Sequence, residues 1–451
     1  MLNLKNVIRS TAAALALGAA ILFAPAHAYA GDATLKLKDG RTLVGEIVKQ
    51  EEGYVWIKYK IGDLVKTEMF GPSEIDKLTK DEAVAKPAAA DPSKPADGDK
   101  PADAAAAAGA AAASDEDAPK FVRRPGVPRA AVLTLGEGGD KDMVGEYMTA
   151  HALREAIPKL QAEGVDIVVF TINSGGGYGF EVPRISDVIH NEYKKKFRTV
   201  AWIKSAISAA AMSAHCMDEI YFMPEGNYGA CTGWFGSLIA VKGRELEESL
   251  LLMESISARG NHDPKIMRSM QIMEPLSATI DNNGDVTWFQ DETSGQEVVN
   301  RKGKILTFDA PTAQRFKFSK GTAANIDELG KAMGFTEVDW VGVKKPGKPY
   351  PVSKAEEMQI AFRNQVFEDS RKTRQYFTDL NADFAAANAE QDRQARGKFV
   401  NRCWESLNKI KRMCKNNPNF MLTVIGVEDE RGFREWYEKI EYDLRRLMSG
   451  R

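Results

Sequence analysis

The sequence predicts an α/β protein, with a small β-barrel before the α/β part and a helical region after it. Two uncharged apolar runs, Ile167-Val168-Val169-Phe170 and Thr199-Val200-Ala201-Trp202-Ile203, read as strands buried on both faces of a parallel sheet. Each leads into small residues. After the first comes Ile172-Asn173-Ser174-Gly175-Gly176-Gly177, and after the second Lys204-Ser205-Ala206-Ile207-Ser208-Ala209-Ala210-Ala211. The resulting order is strand, glycine loop, helix, strand, small-residue turn, helix. Glycines let backbone N–H groups reach a ligand with no side chain between, and Ser208 opens a helix among alanines at the positive end of its dipole. An oxyanion hole and a nucleophile fit such a pair of turns; Ser208 as a small residue at a tight helix–strand contact is the structural alternative.

The elements on either side follow from composition. At 451 residues the chain exceeds one ordinary domain, and 43% hydrophobic with 27% charged residues is a globular composition. A net charge of −2 with no dominant basic block excludes a nucleic-acid partner. Lys5 and Arg9, an apolar core over 11–24, and Ala28-Tyr29-Ala30 before Gly31 read as a secretory signal peptide over 1–30, with an uncleaved anchor as the other reading. The core falls short of the ~20 residues a spanning helix needs. The mature protein is expected to be exported, periplasmic or peripheral to the membrane.

Residues 31–80 alternate as short strands, with Asp39-Gly40 as a hairpin turn and 73–78 as a short closing helix, which suits a small β-barrel. Tyr54, Trp56 and Tyr59 there read as core and exposed stripe, with a ligand platform as the alternative. Residues 81–126 are Ala, Pro, Asp, Lys and Gly with almost no aromatics, and read as a disordered tether. The α/β domain is expected over 127–340. From 341 to 451 three helices are expected at 355–380, 383–414 and 431–448, with Asn416-Asn417-Pro418 as a break and the polar run 388–393 as a solvated helical face. This region reads as an interaction or capping module. Of the four cysteines, Cys403 and Cys414 lie eleven residues apart in one expected helix, ~16 Å and too far to bridge, and Cys216 and Cys231 read as buried free thiols.

The two glycine- and alanine-rich turns resemble the ClpP/crotonase superfamily, and within it the serine peptidases of the signal peptide peptidase A and NfeD types. The family's (I/L)(N/D)(S/T)PGG loop is matched by 172–177 with Gly175 in place of proline, and its AAS(G/A)G turn by Ala206-Ile207-Ser208-Ala209-Ala210. Asp218-Glu219-Ile220-Tyr221-Phe222-Met223-Pro224 is similar to DEIYMxP, and Gly226-Asn227-Tyr228-Gly229-Ala230-Cys231 to GxxIGA. Further segments between 306 and 329 are similar to the LTxxEA…GxAD…xxEL close of that domain. The resemblance covers residues 129–335 and implies a ClpP/crotonase-like ββα spiral core. It implies Ser208 as nucleophile, the N–H groups of Gly177 and Ala209 as oxyanion hole, and Gly175, Gly176 and Tyr178 along the substrate.

The base is the open position. Where the Clp subunit carries its histidine this chain has Cys231, and His215 lies two turns along the helix from Ser208, ~10 Å away, in a structural place. NfeD-type peptidases pair serine with a lysine, and Lys242 occupies the similar place, after Leu238-Ile239-Ala240-Val241 and eighteen residues before Gly260-Asn261. A lysine takes a serine proton only when neutral, which requires burial to lower its pKa from ~10.4. Lys204 and Ser205 are alternatives one turn before Ser208. The leading expectation is a serine endopeptidase with a Ser208–Lys242 dyad, cleaving hydrophobic peptides or membrane-protein tails laid in as an added strand. A catalytically silent peptide-binding scaffold is the second reading, and acyl-coenzyme A chemistry is disfavoured by export. The expected partners are a peptide or protein substrate, a membrane protein and further copies of the chain; no cofactor and no metal are expected.

Overall fold

The structure, a computed structural model, describes residues 32–38, 42–51, 54–61, 64–70, 75–80, 123–235 and 239–449. The expected leader and nearly all of the tether lie outside the described residues. The chain falls into two compact units, Met1–Ser114 and Asp115–Arg451.

In the first unit, β1 (Asp32–Leu37), β2 (Thr42–Glu51), β3 (Tyr54–Ile61), β4 (Leu64–Phe70) and β5 (Ile75–Lys80) form one antiparallel sheet in the order β4-β3-β2-β1-β5. The short closing helix expected at 73–78 is instead strand β5. The three-residue spacing of Ile75 and Leu78 looks helical, but the pairing with β1 shifts at Lys36/Leu37, so Lys77 faces Lys36 and Ile75 faces Leu37. That bulge lets Ile75 and Leu78 both pack on Leu35, Val55 and Ile57. The side chains of Tyr54, Trp56 and Tyr59 lie outside the described residues.

In the second unit the elements are β6 (Arg129–Leu135), α1 (Ala150–Ala162), β7 (Ile167–Ser174), α2 (Glu181–Val188), β8 (Arg198–Ile207), α3 (Ala209–Ala214), β9 (Ile220–Gly229), β10 (Trp234–Phe235), β11 (Ile239–Ala240), α4 (Arg244–Arg259) and α5 (Pro264–Gln271). Then follow β12 (Leu276–Ile280), β13 (Val286–Phe289), β14 (Glu297–Asn300), β15 (Thr307–Asp309), α6 (Ala310–Arg315), β16 (Gly321–Thr322), α7 (Ile326–Ala332) and β17 (Asp339–Trp340). The main sheet runs β15-β9-β8-β7-β6-β17, with β16 also on β9; β6 to β9 are parallel. Alternate residues of β6 and β7 enter opposite cores. Leu133 and Phe170 join the helices α1, α2 and α3, whereas Val132 and Val169 pack with Leu329, Met333 and Tyr350. Both faces are covered, which is why these strands read as continuous apolar runs.

The helical region comprises α8 (Lys354–Ala389), α9 (Arg393–Asn416) and α10 (Glu430–Ser449). Its first helix continues well past 380, because Ala385-Ala386-Ala387 are the best of helix formers. The break therefore falls inside the polar run 388–393, at residues 390–392, so the run is not one continuous helical face: Asp392 caps α9 by accepting from Ala395 N at 2.7 Å. The first turns of α8 are bolted to β6. Buried Arg363 donates to Thr134 O at 2.8 Å and to Glu356 Oε1 at 3.2 Å, and Glu356 Oε2 accepts from Thr134 N at 2.8 Å. All four cysteines are buried and free. Among the described residues no helix is long and apolar enough to cross a membrane.

Candidate active site

Pairing of β7 with β8 sets the two small-residue turns side by side. Ser174 pairs with Ala206, so the glycine loop and Ser208 leave the same edge of the sheet. Gly176 touches the serine: a Cβ placed on it would stand 2.6 Å from Ser208 Cβ and 3.1 Å from Ser208 Oγ. Ser208 itself has φ 55 and ψ −129, a backbone region that L residues avoid, and it directly precedes α3. Its N–H donates to Gly229 O at 2.9 Å and its carbonyl accepts from Met212 N at 3.0 Å, which hold the strained turn in place. The half-buried hydroxyl has no hydrogen-bond partner among the described residues. A strained serine with an uncommitted hydroxyl is the geometry of a nucleophile at a sharp strand-to-helix turn.

The glycine loop is held from one side by a strap, residues 142–148, that the sequence did not single out. Val144 N donates to Gly176 O and Tyr178 N donates to Val144 O, both at 2.9 Å. Asp142 Oδ2 accepts from Gly175 N at 3.0 Å, and Ser174 Oγ donates to Asp142 O at 2.5 Å. Gly177, with φ 151, crosses so close that a Cβ on it would lie 2.4 Å from Val144 O. The N–H of Gly177 has no acceptor among the described residues, and the N–H of Ala209, in the first turn of α3, has no acceptor one turn back within its own helix. At the end of the loop Tyr178 is 39% exposed and stacks on Phe180 at 5.4 Å between ring centroids, which makes an apolar surface there.

The expected base is placed differently from its expectation. Lys242 is exposed and makes no hydrogen bond or ion pair among the described residues. The chain leaves β11 at Ala240 and turns through Gly243, at φ 63, into α4, so Lys242 stands just outside the helix and is not in an apolar pocket. Segment 236–238 before it lies outside the described residues. Of the alternatives, Lys204 is exposed, and Ser205 Oγ is bonded to Asn227 Oδ1 at 2.9 Å.

His215 is structural. Tyr228 OH donates to Ala211 O at 2.5 Å, so its oxygen accepts from His215 Nδ1–H at 3.1 Å. The other ring nitrogen, Nε2, is then a bare, buried lone pair with no partner among the described residues. His262 lies against it at 4.6 Å between ring centroids. Burial holds His215 well below the usual imidazole range and pulls His262 down to about 4. Both are neutral in the fold but titrate near ~6.5 when unfolded. Their stabilising effect is therefore complete above ~6.5 and is lost as the pH falls from there towards 4. Urea unfolding is expected to show a stability loss on the order of 2 kcal/mol or more between pH 7 and pH 5; a constant midpoint would mean that the pair is open to water.

No protein-family model matches the chain. It is similar to membrane protein NfeD1b of Bacillus subtilis (strain 168), 28% identical over 191 residues that make up 42% of this chain and 39% of that protein. The chain thus spans about two fifths of that relative's length. Among solved structures, a serine-to-alanine mutant of 1510-N membrane-bound stomatin-specific protease matches at 12% identity and a TM-score of 0.33, over 50% of this chain and 93% of that one. A lysine-to-alanine mutant of 1510-N membrane-bound stomatin-specific protease in complex with a substrate peptide matches at 12% identity and a TM-score of 0.34, over 51% and 89%. Both superpositions are too loose to define a shared fold.

Proposed function

We propose that the chain is a serine endopeptidase of NfeD-like kind, with Ser208 as nucleophile and Lys242 as its base, acting on hydrophobic peptides or membrane-protein tails. The observation that carries this reading is Ser208 at φ 55 with its hydroxyl uncommitted, against the backbone of Gly176. Ser208 Oγ attacks the peptide carbonyl while its proton passes to Lys242 Nζ. The carbonyl oxygen, now negative, is met by the N–H groups of Gly177 and Ala209. Collapse returns the lysine proton to the leaving amine, and water, deprotonated by the same lysine, releases the acyl group from Ser208. A peptide laid across the glycine loop would rest an apolar side chain on Tyr178, and the dyad requires that binding bring Lys242 Nζ to Ser208 and exclude water from it.

The NfeD1b similarity supports a place at the membrane, and the leader-like residues 1–30 support export, with the mature protein periplasmic or peripheral to the membrane. The second reading, a peptide-binding scaffold without activity, is favoured by the exposed and unbonded Lys242. Cleavage of peptide by the wild-type chain separates the two, and Lys242→Met then tests the base, because it keeps an apolar stem and removes only the amine. Peptide cleavage by the purified full chain is expected to fall on the order of 10³-fold in this variant with an unchanged melting temperature. Undiminished cleavage by folded Lys242→Met would remove Lys242 from the mechanism.

A further inference from the structure

The strap that holds the glycine loop is itself held from the far side by the C-terminal helices. Asn417 Nδ2 donates to Glu146 O and Asn419 Nδ2 to Gly145 O, both at 2.9 Å, from the turn that follows α9. Both asparagines are buried, Asn417 at 0% and Asn419 at 5% exposure. Their other atoms are used as well. Asn417 Oδ1 accepts from Asn419 N at 3.1 Å, and Asn419 Oδ1 accepts from Arg184 Nη1 at 3.0 Å, on the helix that follows the glycine loop. Ser370 Oγ of α8 adds a bond to Glu146 Oε1 at 2.5 Å, and Tyr147 is buried in the same apolar cluster as Val366, Met413 and Phe433.

The consequence is a relay of backbone bonds. The asparagine turn fixes the carbonyls of Gly145 and Glu146; the adjoining Val144 fixes Gly176 and Tyr178; Gly176 lies on Ser208. A buried amide whose oxygen and nitrogen are both hydrogen-bonded has one geometry, and that geometry passes to the backbone it holds. We propose that Asn417 and Asn419 are positioning residues for the glycine loop, so that the C-terminal helices complete the site. The catalytic half of this inference rests on the Ser208 reading; the structural half does not.

The test is Asn419→Ala in the full chain, read by amide hydrogen exchange of Val144 and Tyr178, whose N–H groups make the two backbone-to-backbone bonds between strap and loop. Exchange there is expected to quicken at least ~10-fold while the amides of β7 and β8 keep their protection, as a local opening does. Fluorophosphonate labelling of Ser208 is expected to slow by a similar factor. If Asn419→Ala does not fold, Asn417→Ser, which keeps a short polar side chain, takes its place in the same measurement. Unchanged exchange at Val144 and Tyr178 in a folded variant overturns the proposal. A wild-type chain that does not label at all would sink the Ser208 reading instead, and the exchange result would still decide the positioning role.

Discussion

Ser208→Ala is expected to lower peptide cleavage by on the order of 10³-fold or more while the melting temperature stays within a degree or two of the wild type, which is the scale of losing a nucleophile. The asymmetry follows from the site. The hydroxyl has no partner whose loss would leave a buried polar group unsatisfied, and alanine keeps the Cβ that rests on Gly176. The unusual backbone at φ 55 is equally strained for serine and alanine, so it does not separate them. Turnover assays and thermal melts on the same preparation check this, and a variant that still cleaves would move the nucleophile elsewhere.

The second large effect is expected at the glycine loop, and it is graded by position. Gly176→Ala places a Cβ 2.6 Å from Ser208 Cβ and 3.0 Å from Ile207 O at φ +109, so the loop must draw back from the serine. A loss on the order of 10²-fold in cleavage is expected, the scale of removing one oxyanion donor. Gly177→Val meets Val144 N and O at 2.5 and 2.4 Å, both backbone atoms, so it is expected to cost stability as well as activity. The strap is what a side chain there strikes first. Gly175 is the internal control. A Cβ on it would meet only Asp142 Oδ2, at 3.8 Å, so Gly175→Ala is expected to stay active. Equal losses at all three glycines would mean that the loop responds to added bulk in general and not to contact with Ser208.

The parts of this fold that were legible in the sequence are those in which neighbours along the chain are neighbours in space. The runs before the two turns are apolar because both faces of the sheet are covered, and the turns follow their strands directly, so pairing of β7 with β8 was enough to join them. The strap was not legible. Val144 and Asp142 carry no pattern that distinguishes them from other loop residues, and Asn419 reaches Gly145 across 274 positions. The same distance in sequence made the helical region look like a separate module, although Arg363, Asn417 and Asn419 tie it to the sheet and the loop. Strand β5 was misread because a bulge placed two residues three apart on one face. Lys242 follows an apolar run, which suggested burial; Gly243 turns the chain outward there, and a single glycine in a charged context does not announce the direction of its turn.

The most direct test of the central claim is the site of covalent labelling. The purified full chain would be treated with a fluorophosphonate, digested, and the adduct located by mass spectrometry. A single adduct on the peptide that carries Ser208, absent in Ser208→Ala and slowed in Lys242→Met, is the predicted result. No adduct under conditions that saturate an ordinary serine hydrolase, or an adduct on any other residue, would contradict it.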